Sequence, residues 1–179
     1  DVYKRQLGDD PDAAAVLHRS QTFQNGIVGN IKALAAQRPL IILDACRTPQ
    51  QAAALLRVLN MAKVRHMSAI IGLAEEEGAE AFFSALETGL TPEEQKKDKS
   101  TMPGMSENPF DKVYLVTPAG GDDEMTARLT EKAKYHFDAE MCTSIAEAVE
   151  LAHANTRRGL LVCGGEAAAL EAAELLVNS

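Results

Sequence analysis

The sequence predicts an α/β protein: a Rossmann-like open, mostly parallel sheet with helices on both faces. Two observations predict this fold. Strand-like apolar runs alternate with helix-like segments four times along the 179 residues, an order that is typical of parallel sheets. The first run, residues 39–43 (PLIIL), is apolar throughout, as expected for a strand that is covered on both faces. Right-handed crossovers between successive strands would complete the sheet.

The individual elements follow from periodicity and from the signals at their ends. Thr48 and Pro49 suit the N-cap and the first residue of a helix. Residues 89–109 contain three prolines and two glycines, and we expect a long surface loop there. The predicted strands are 39–45, 66–73, 112–118, a short 139–142 and 159–165. The predicted helices are 11–19, one from Pro49, 75–87, one that follows a glycine turn within residues 119–136, 143–155 (capped by Thr143 or Ser144) and 166–178.

The composition narrows the classes of partner. The net charge is −8, which argues against a nucleic-acid partner because phosphate binding needs a clustered basic face. No apolar run approaches the length of a membrane span, so no membrane partner is expected. The three cysteines are widely spaced, which predicts free thiols in a reducing compartment such as the cytoplasm. The four histidines share no ligand spacing, so no metal site is predicted.

The first candidate ligand turn is DACRTP, residues 44–49, at the end of the first strand. Ligands of open α/β sheets bind beyond the carboxyl ends of the strands. Asp44 either accepts hydrogen bonds from ligand hydroxyls or caps the next helix. Arg47 either faces a phosphate or carboxylate, for which its planar fork is suited, or is a solvated loop charge. The residues alone leave both pairs of alternatives open. Cys46 is a weaker candidate, for a reactive thiol.

The second candidate turn is CGGEA, residues 163–167. Gly164 and Gly165 would let a ligand approach the backbone and the free N–H groups of the following helix. A plain strand-to-helix turn is the favoured interpretation, because two glycines are a weak signal and Glu166 would also oppose an anionic ligand. The glycine turn after the third strand is similar but carries two aspartates. The sequence contains no Gly-x-x-x-x-Gly-Lys-Ser/Thr phosphate loop, so no self-contained ATPase is expected.

Four segments of the sequence carry a resemblance to a known family. Residues 38–59, RPLIILDACRTPQQAAALLRVL, are similar to a family segment Pro-Leu-Ile-Leu-Leu-Asp-Gly-Ala-His-Asn-Pro and the helix after it. KVYLVTP, TSIAEAVELA and GLLVCGGEAAALEAAELL are similar to its later strand, a later helix and its final strand and turn. The family is the folylpolyglutamate synthase / dihydrofolate synthase group of the Mur ligase superfamily. The resemblance covers residues 20–179 and corresponds to the C-terminal domain of that group.

The sequence departs from the family pattern at most ligand-contacting positions. Asp44 and Pro49 are kept, but the motif's glycine, alanine, histidine and asparagine are replaced by Ala45, Cys46, Arg47 and Thr48. Gly165 replaces a serine, and Ile27 stands where an arginine that reaches the nucleotide is expected. The resemblance implies that the nucleotide contacts are Asp44, Arg47 and Thr48, and that the substrate contacts are Gly164 and Gly165. It implies no catalytic and no metal-binding residue in this chain.

The activity that the resemblance implies is that of an ATP-dependent ligase, which joins glutamate to a folate or pteroate carboxylate through an acyl phosphate. ATP and Mg²⁺ would be held mainly by an upstream domain on which this domain packs, so this chain alone would be inactive. The alternative is a degenerate, non-catalytic paralogue that serves as a structural or interaction module. A sister ligase for another acid also stays open. The expected partners are a folate-type molecule and glutamate, and the expected state is a cytoplasmic monomer.

The resemblance also divides the chain. Residues 1–6, DVYKRQ, match a translated sequencing adapter and are expected to be non-native. Residues 7–22 are expected to connect to a missing upstream ATP-binding domain, and residues 23–179 to form the Mur ligase C-terminal-like domain.

Overall fold

The computed structural model describes residues 40–61, 63–97, 108–155 and 159–177. The strands in this part of the chain are β1 (Leu40–Leu43), β2 (Met67–Ile71), β3 (Phe110–Val116), β4 (Ala139–Cys142) and β5 (Gly159–Cys163). The helices are α1 (Pro49–Met61), α2 (Ala79–Thr88), α3 (Pro92–Lys97), α4 (Asp123–Ala133), α5 (Ile145–Asn155) and α6 (Glu166–Val177). Residues 1–6, the predicted helix 11–19, the predicted connector 7–22 and the position of Ile27 lie outside the described residues.

The described strands form one sheet in the order β1-β5-β2-β3-β4, and every neighbouring pair is parallel. β5 and β2 lie towards the centre, and all of their residues are buried. This burial explains why their sequences are apolar rather than alternating. The predicted α/β fold is confirmed, and the described sheet is parallel throughout.

Helices cover both faces of the sheet, as predicted. On one face α1, α2 and α4 pack in a cluster that contains Leu56, Phe83 and Leu129. On the other face α5 and α6 pack in a second cluster. Side chains of β2 alternate between the two, since Ala69 and Ile71 join the first cluster and Ile70 joins the second, as the two-residue period of a strand requires. Burial of each large apolar side chain stabilises the fold by about 1.5–3 kcal/mol.

Side-chain hydrogen bonds confirm two predicted helix starts, those at Thr48 and Ser144. Thr48 Oγ1 accepts a hydrogen bond from the Gln51 N–H at 3.2 Å, and α1 begins at Pro49. Ser144 Oγ accepts one from the Glu147 N–H at 3.1 Å. These bonds satisfy N–H groups that the first turn of a helix leaves without a backbone partner.

The loop predicted for residues 89–109 is wrong over part of its length. Residues Pro92–Lys97 form the short helix α3. Thr91 Oγ1 accepts a hydrogen bond from the Glu94 N–H at 3.3 Å, and Glu94 Oε1 accepts one from the Thr91 N–H at 3.1 Å. This reciprocal capping box, with Pro92 at the first helical position, is the local reason for the helix.

Within the ranges that the structure describes, none of the helices combines the length and the apolar character that crossing a membrane would require.

Candidate functional site

A cleft of about 750 Å³ lies at the carboxyl edge of the sheet, where four strand-to-helix turns meet. Its volume is within the ordinary range of about 300–1,000 Å³ for small-molecule pockets. Parallel strands bring these turns to one edge even though they are far apart in sequence. The lining comes from residues 47–49 after β1, from residues 72–75, 77–79 and Phe82 after β2, from Pro118 after β3, and from residues 164–167 with Leu170 after β5.

The charge of the cleft is mixed. Arg47 is the cation among the described lining residues, while Glu75, Glu77 and Glu166 supply three carboxylates. All four residues are exposed, so their charges face water as well as the cleft. Leu73, Phe82 and Leu170 supply apolar surface, as do the prolines. A ligand in this cleft would therefore contact apolar side chains. The excess of negative charge on the lining would repel a ligand group that carries several negative charges.

Asp44 is fully buried and does not line the cleft. Its Oδ1 accepts a hydrogen bond from the Cys46 N–H at 2.9 Å, and its own N–H donates to Val162 O at 2.9 Å. The carboxylate thus closes an Asx turn, the local conformation in which an aspartate binds the backbone two residues on. The cap of α1 is Thr48 and not Asp44. A direct contact of Asp44 with a nucleotide stays a prediction.

Arg47 and Thr48 lie on the cleft lining, as the sequence predicted for residues at the mouth of β1. Gln51 braces this turn, because its Oε1 accepts a hydrogen bond from the Arg47 N–H at 3.0 Å while its N–H donates to Thr48 Oγ1. The Arg47 side chain is exposed. Gln51, one turn further along α1, therefore holds the backbone that carries the Arg47 guanidinium.

Gly164 lines the cleft, but its lack of a side chain is required by the protein's own backbone. Its φ is +107°, and a Cβ there would lie 2.8 Å from the N, C and O atoms of Gly72. Two backbone hydrogen bonds also join the turns at Gly164 and Gly72 to neighbouring segments. The Gly164 N–H donates to Cys46 O at 2.9 Å, and the Gly72 N–H donates to Cys163 O at 3.0 Å. Gly165 has only Gly72 O nearby, at 3.7 Å. The predicted substrate contacts at Gly164 and Gly165 remain predictions.

Sequence reasoning missed Gly72, which is the partner of Gly164 across the end of the sheet. A Cβ at Gly72 would lie 2.8 Å from Ala168 Cβ and 3.3 Å from Val116 Cγ2. Two glycines that directly follow buried strands were the available signal. Only the adjacency of β2 and β5 makes them neighbours, and that order could not be derived from the sequence.

The three cysteines are free and buried. Burial is the main reason that the pKa of the Cys142 thiol is raised to about 11; the charges of Glu147 and Glu140 also raise it, and the charge of Lys112 lowers it. Cys46 is fully buried beneath the turn that carries Arg47. A buried thiol is a poor nucleophile because the thiolate is the reactive form. The geometry gives no support to Cys46 as a reactive thiol.

Among the described residues, no three His, Cys, Asp or Glu side chains are grouped in a way that could hold a metal ion. The cleft is large enough for part of a nucleotide, and Arg47 with Thr48 fits a phosphate or hydroxyl. The three glutamates do not fit a triphosphate that lies among them, because like charges repel.

No protein-family model and no curated protein sequence matches the chain. Solved structures do match. Folylpolyglutamate synthase of Mycobacterium tuberculosis, complexed with ADP and AMPPCP, has 18% identity and a TM-score of 0.58, with 78% of this chain and 31% of that chain covered. E. coli FolC in complex with ADP, without folate substrate, has 18% identity and a TM-score of 0.60, with 81% and 30% covered.

A third match is the bifunctional folylpolyglutamate synthase/dihydrofolate synthase of Yersinia pestis, complexed with AMPPNP and Mn ion. Its identity is 18% and its TM-score 0.57, with 78% of this chain and 29% of that chain covered. The chain thus spans about three-tenths of the length of these synthases, in their C-terminal portion. The resemblance drawn from the sequence is confirmed at the level of the fold.

Proposed function

We propose that the chain is the C-terminal domain of an ATP-dependent ligase of the folylpolyglutamate/dihydrofolate synthase type. The proposed reaction joins glutamate to a folate or pteroate carboxylate through an acyl phosphate. The observation that carries the proposal is the cleft at the carboxyl edge of a fold that solved synthases share. The chain covers about 30% of those synthases, so the activity would belong to a longer protein and this domain alone would be inactive.

Two residues of this chain would contact the nucleotide most directly. Arg47 presents a guanidinium, which can form two parallel hydrogen bonds to a phosphate or carboxylate. Thr48 presents a hydroxyl that already accepts one hydrogen bond from Gln51 and can still donate one. Both lie at the start of α1, where the helix dipole also favours negative charge. When bound, ATP supplies the phosphoryl group that activates the carboxylate.

The apolar part of the cleft would serve a different purpose. Leu73, Phe82 and Leu170 lie on its lining, and Leu170 is about half exposed at 51%. An upstream domain that closes on this edge would cover Leu170 and exclude water from the reacting groups. Exclusion of water strengthens the electrostatic contacts inside a closed site. The upstream domain would hold most of the ATP and its Mg²⁺, in a monomer in the cytoplasm.

The second candidate is a non-catalytic paralogue domain with a structural or interaction role. The observation that favours it is the charge of the cleft, where three glutamates face one arginine. A triphosphate among these side chains would be repelled unless the upstream domain held it at the Arg47 side. The two candidates therefore differ in one measurable property, namely nucleotide-dependent turnover.

The test is a turnover assay on the complete reading frame that contains this chain. ATP hydrolysis is measured with and without a folate acceptor and glutamate, in the parent protein and in Arg47→Ala. Removing a charge-assisted hydrogen bond costs about 1.5–3 kcal/mol, so kcat/KM should fall about tenfold or more. Lys97→Ala removes the same charge from an exposed residue that is outside the cleft lining, and it should leave kcat/KM unchanged.

The outcomes separate the candidates. Turnover that needs both co-substrates and falls in Arg47→Ala supports the ligase. A folded parent protein without turnover supports the non-catalytic paralogue. Turnover that is the same in Arg47→Ala and Lys97→Ala would show that this cleft takes no part in the reaction.

A further inference from the structure

One wall of the cleft is the segment that joins β2 to α2, here called the 74–78 wall. Its residues are Ala74, Glu75, Glu76, Glu77 and Gly78, and all of them except Glu76 line the cleft. The wall has little support from the backbone. Among the described residues its backbone hydrogen bonds are local ones to the start of α2: Ala79 N–H donates to Glu76 O at 3.1 Å and Phe82 N–H donates to Gly78 O at 3.0 Å.

Glu76 points away from the cleft and towards α4. Its two carboxylate oxygens accept hydrogen bonds from Arg128 Nε at 3.3 and 3.2 Å, and Oε1 also accepts one from Lys132 Nζ at 3.3 Å. Arg128 and Lys132 are four residues apart in one helix, which places both side chains on the same face. In the part of the chain that the structure describes, no other side chain of the 74–78 wall hydrogen-bonds or ion-pairs with another element.

The wall carries a concentration of negative charge that the anchor offsets. Glu75, Glu76 and Glu77 are three consecutive carboxylates, and like charges at this spacing repel each other. Two cations on the middle carboxylate offset that repulsion. Hydrogen bonds from Arg128 and Lys132 lower the pKa of Glu76 below its ordinary value, so the anchor stays charged through the neutral range.

We propose that Glu76 is a positioning residue of the cleft, which holds the 74–78 wall in place by pairing with Arg128 and Lys132. The anchor fixes where Glu75 and Glu77 stand and therefore how wide the cleft is. It also joins two turns of the site, because α4 begins just after the turn that carries Pro118. The inference about ligand binding rests on the proposed function, whereas the inference about the wall does not.

The first experiment measures the wall without any ligand. Amide hydrogen exchange of Ala79, whose N–H donates to Glu76 O at 3.1 Å, is compared in the complete protein, in Glu76→Gln and in the control Glu131→Gln. Glu131 pairs with Lys134 at 2.8 Å and lies on the same helix, α4, but does not contact the wall. Exchange should become about twofold to fivefold faster in Glu76→Gln, the range expected for an exposed ion pair, and stay unchanged in Glu131→Gln. Equal exchange in all three proteins would overturn the proposal.

The second experiment measures the consequence for the cleft. The KM for ATP should rise in Glu76→Gln while kcat stays unchanged, because a mobile wall must be ordered when the ligand binds. Added NaCl screens exposed ion pairs, so the KM of the parent protein should approach that of Glu76→Gln at high salt. Reversal of all three charges, Glu76→Lys with Arg128→Glu and Lys132→Glu, should restore the parent KM at low salt.

The two proposals fail in different ways. Faster exchange in Glu76→Gln with an unchanged KM would show that the wall is anchored but does not serve nucleotide binding, and would overturn the positioning role. A parent protein without ATP turnover would refute the proposed function, while the exchange comparison would still decide whether Glu76 holds the wall.

Discussion

Substitution of Gly164 by alanine should destabilise the fold strongly, because two separate costs add at this position. Gly164 has a φ of +107°, and a non-glycine residue in such a conformation costs about 1–3 kcal/mol. The new Cβ would lie 2.8 Å from three backbone atoms of Gly72. Forcing atoms into a packed site costs a further ~1–3 kcal/mol. We expect a loss of about 4 kcal/mol in the free energy of unfolding.

The assay is urea unfolding followed by circular dichroism, with thermal unfolding as a second measure. At ~2–4 °C per kcal/mol for a domain of this size, the midpoint of Gly164→Ala should fall by about 10 °C. Three matched glycine variants separate the two costs. Gly78→Ala meets a φ of +78° with nothing within 4 Å of the Cβ, so it reports the backbone cost alone.

The other two variants report the close contact without a positive φ, and the absence of both. Gly72→Ala has the close contact with Ala168 without a positive φ. Gly165→Ala has neither, since its nearest neighbour would be Gly72 O at 3.7 Å, and it should lose less than about 1 kcal/mol as a helix-start residue. The reasoning is refuted if Gly164→Ala is no less stable than Gly78→Ala, because the contact with Gly72 would then carry no cost.

Two further predictions concern buried or half-buried polar groups. Burial lowers the pKa of His136, but hydrogen bonds to Glu80 (2.6 Å) and Glu87 (3.2 Å) raise it by more, so the pKa lies above its ordinary value of 6.5. The stabilisation from the protonated His136 is then fully present below pH 6.5 and is lost as the pH rises through the folded-state pKa. The free energy of unfolding, measured by urea titrations at pH 6 to 9, should therefore fall more steeply with pH in the parent protein than in His136→Gln. Asp44→Ala should lose about 1–3 kcal/mol, because it leaves the buried Cys46 N–H without its acceptor; Asp44→Asn keeps an oxygen there and should lose less, and equal losses would contradict this account.

The fold could be predicted from the sequence because its strands are buried on both faces. The sequences of such strands are continuous apolar runs, and the alternation of these runs with helical segments predicts the parallel sheet. The order β1-β5-β2-β3-β4 could not be predicted, since it depends on which strands pair across long sequence separations. The helix α3 could have been found from Thr91, Pro92 and Glu94, whose capping signals were outweighed by the prolines of that segment.

The candidate site was predicted in its position better than in its chemistry. The turns at Arg47 and Gly164 lie on one cleft because parallel strands end at one edge. The burial of Asp44 was not predicted: the sequence indicated a ligand contact or a helix cap, whereas the side chain closes an Asx turn with the Cys46 N–H. The anchor at Glu76 was also missed, since its partners lie 52 and 56 residues away along the chain.

The most direct test of the account is amide hydrogen exchange of the complete protein with and without ATP and Mg²⁺. If the cleft faces the nucleotide, ATP should slow exchange at Arg47 and Thr48 and in residues 164–167, which lie on the lining. Residues of α3, which carry no part of the cleft lining, should exchange at the same rate in both conditions. Protection that is confined to the upstream part of the protein, with these turns unchanged at saturating ATP, would contradict the proposed nucleotide-facing cleft.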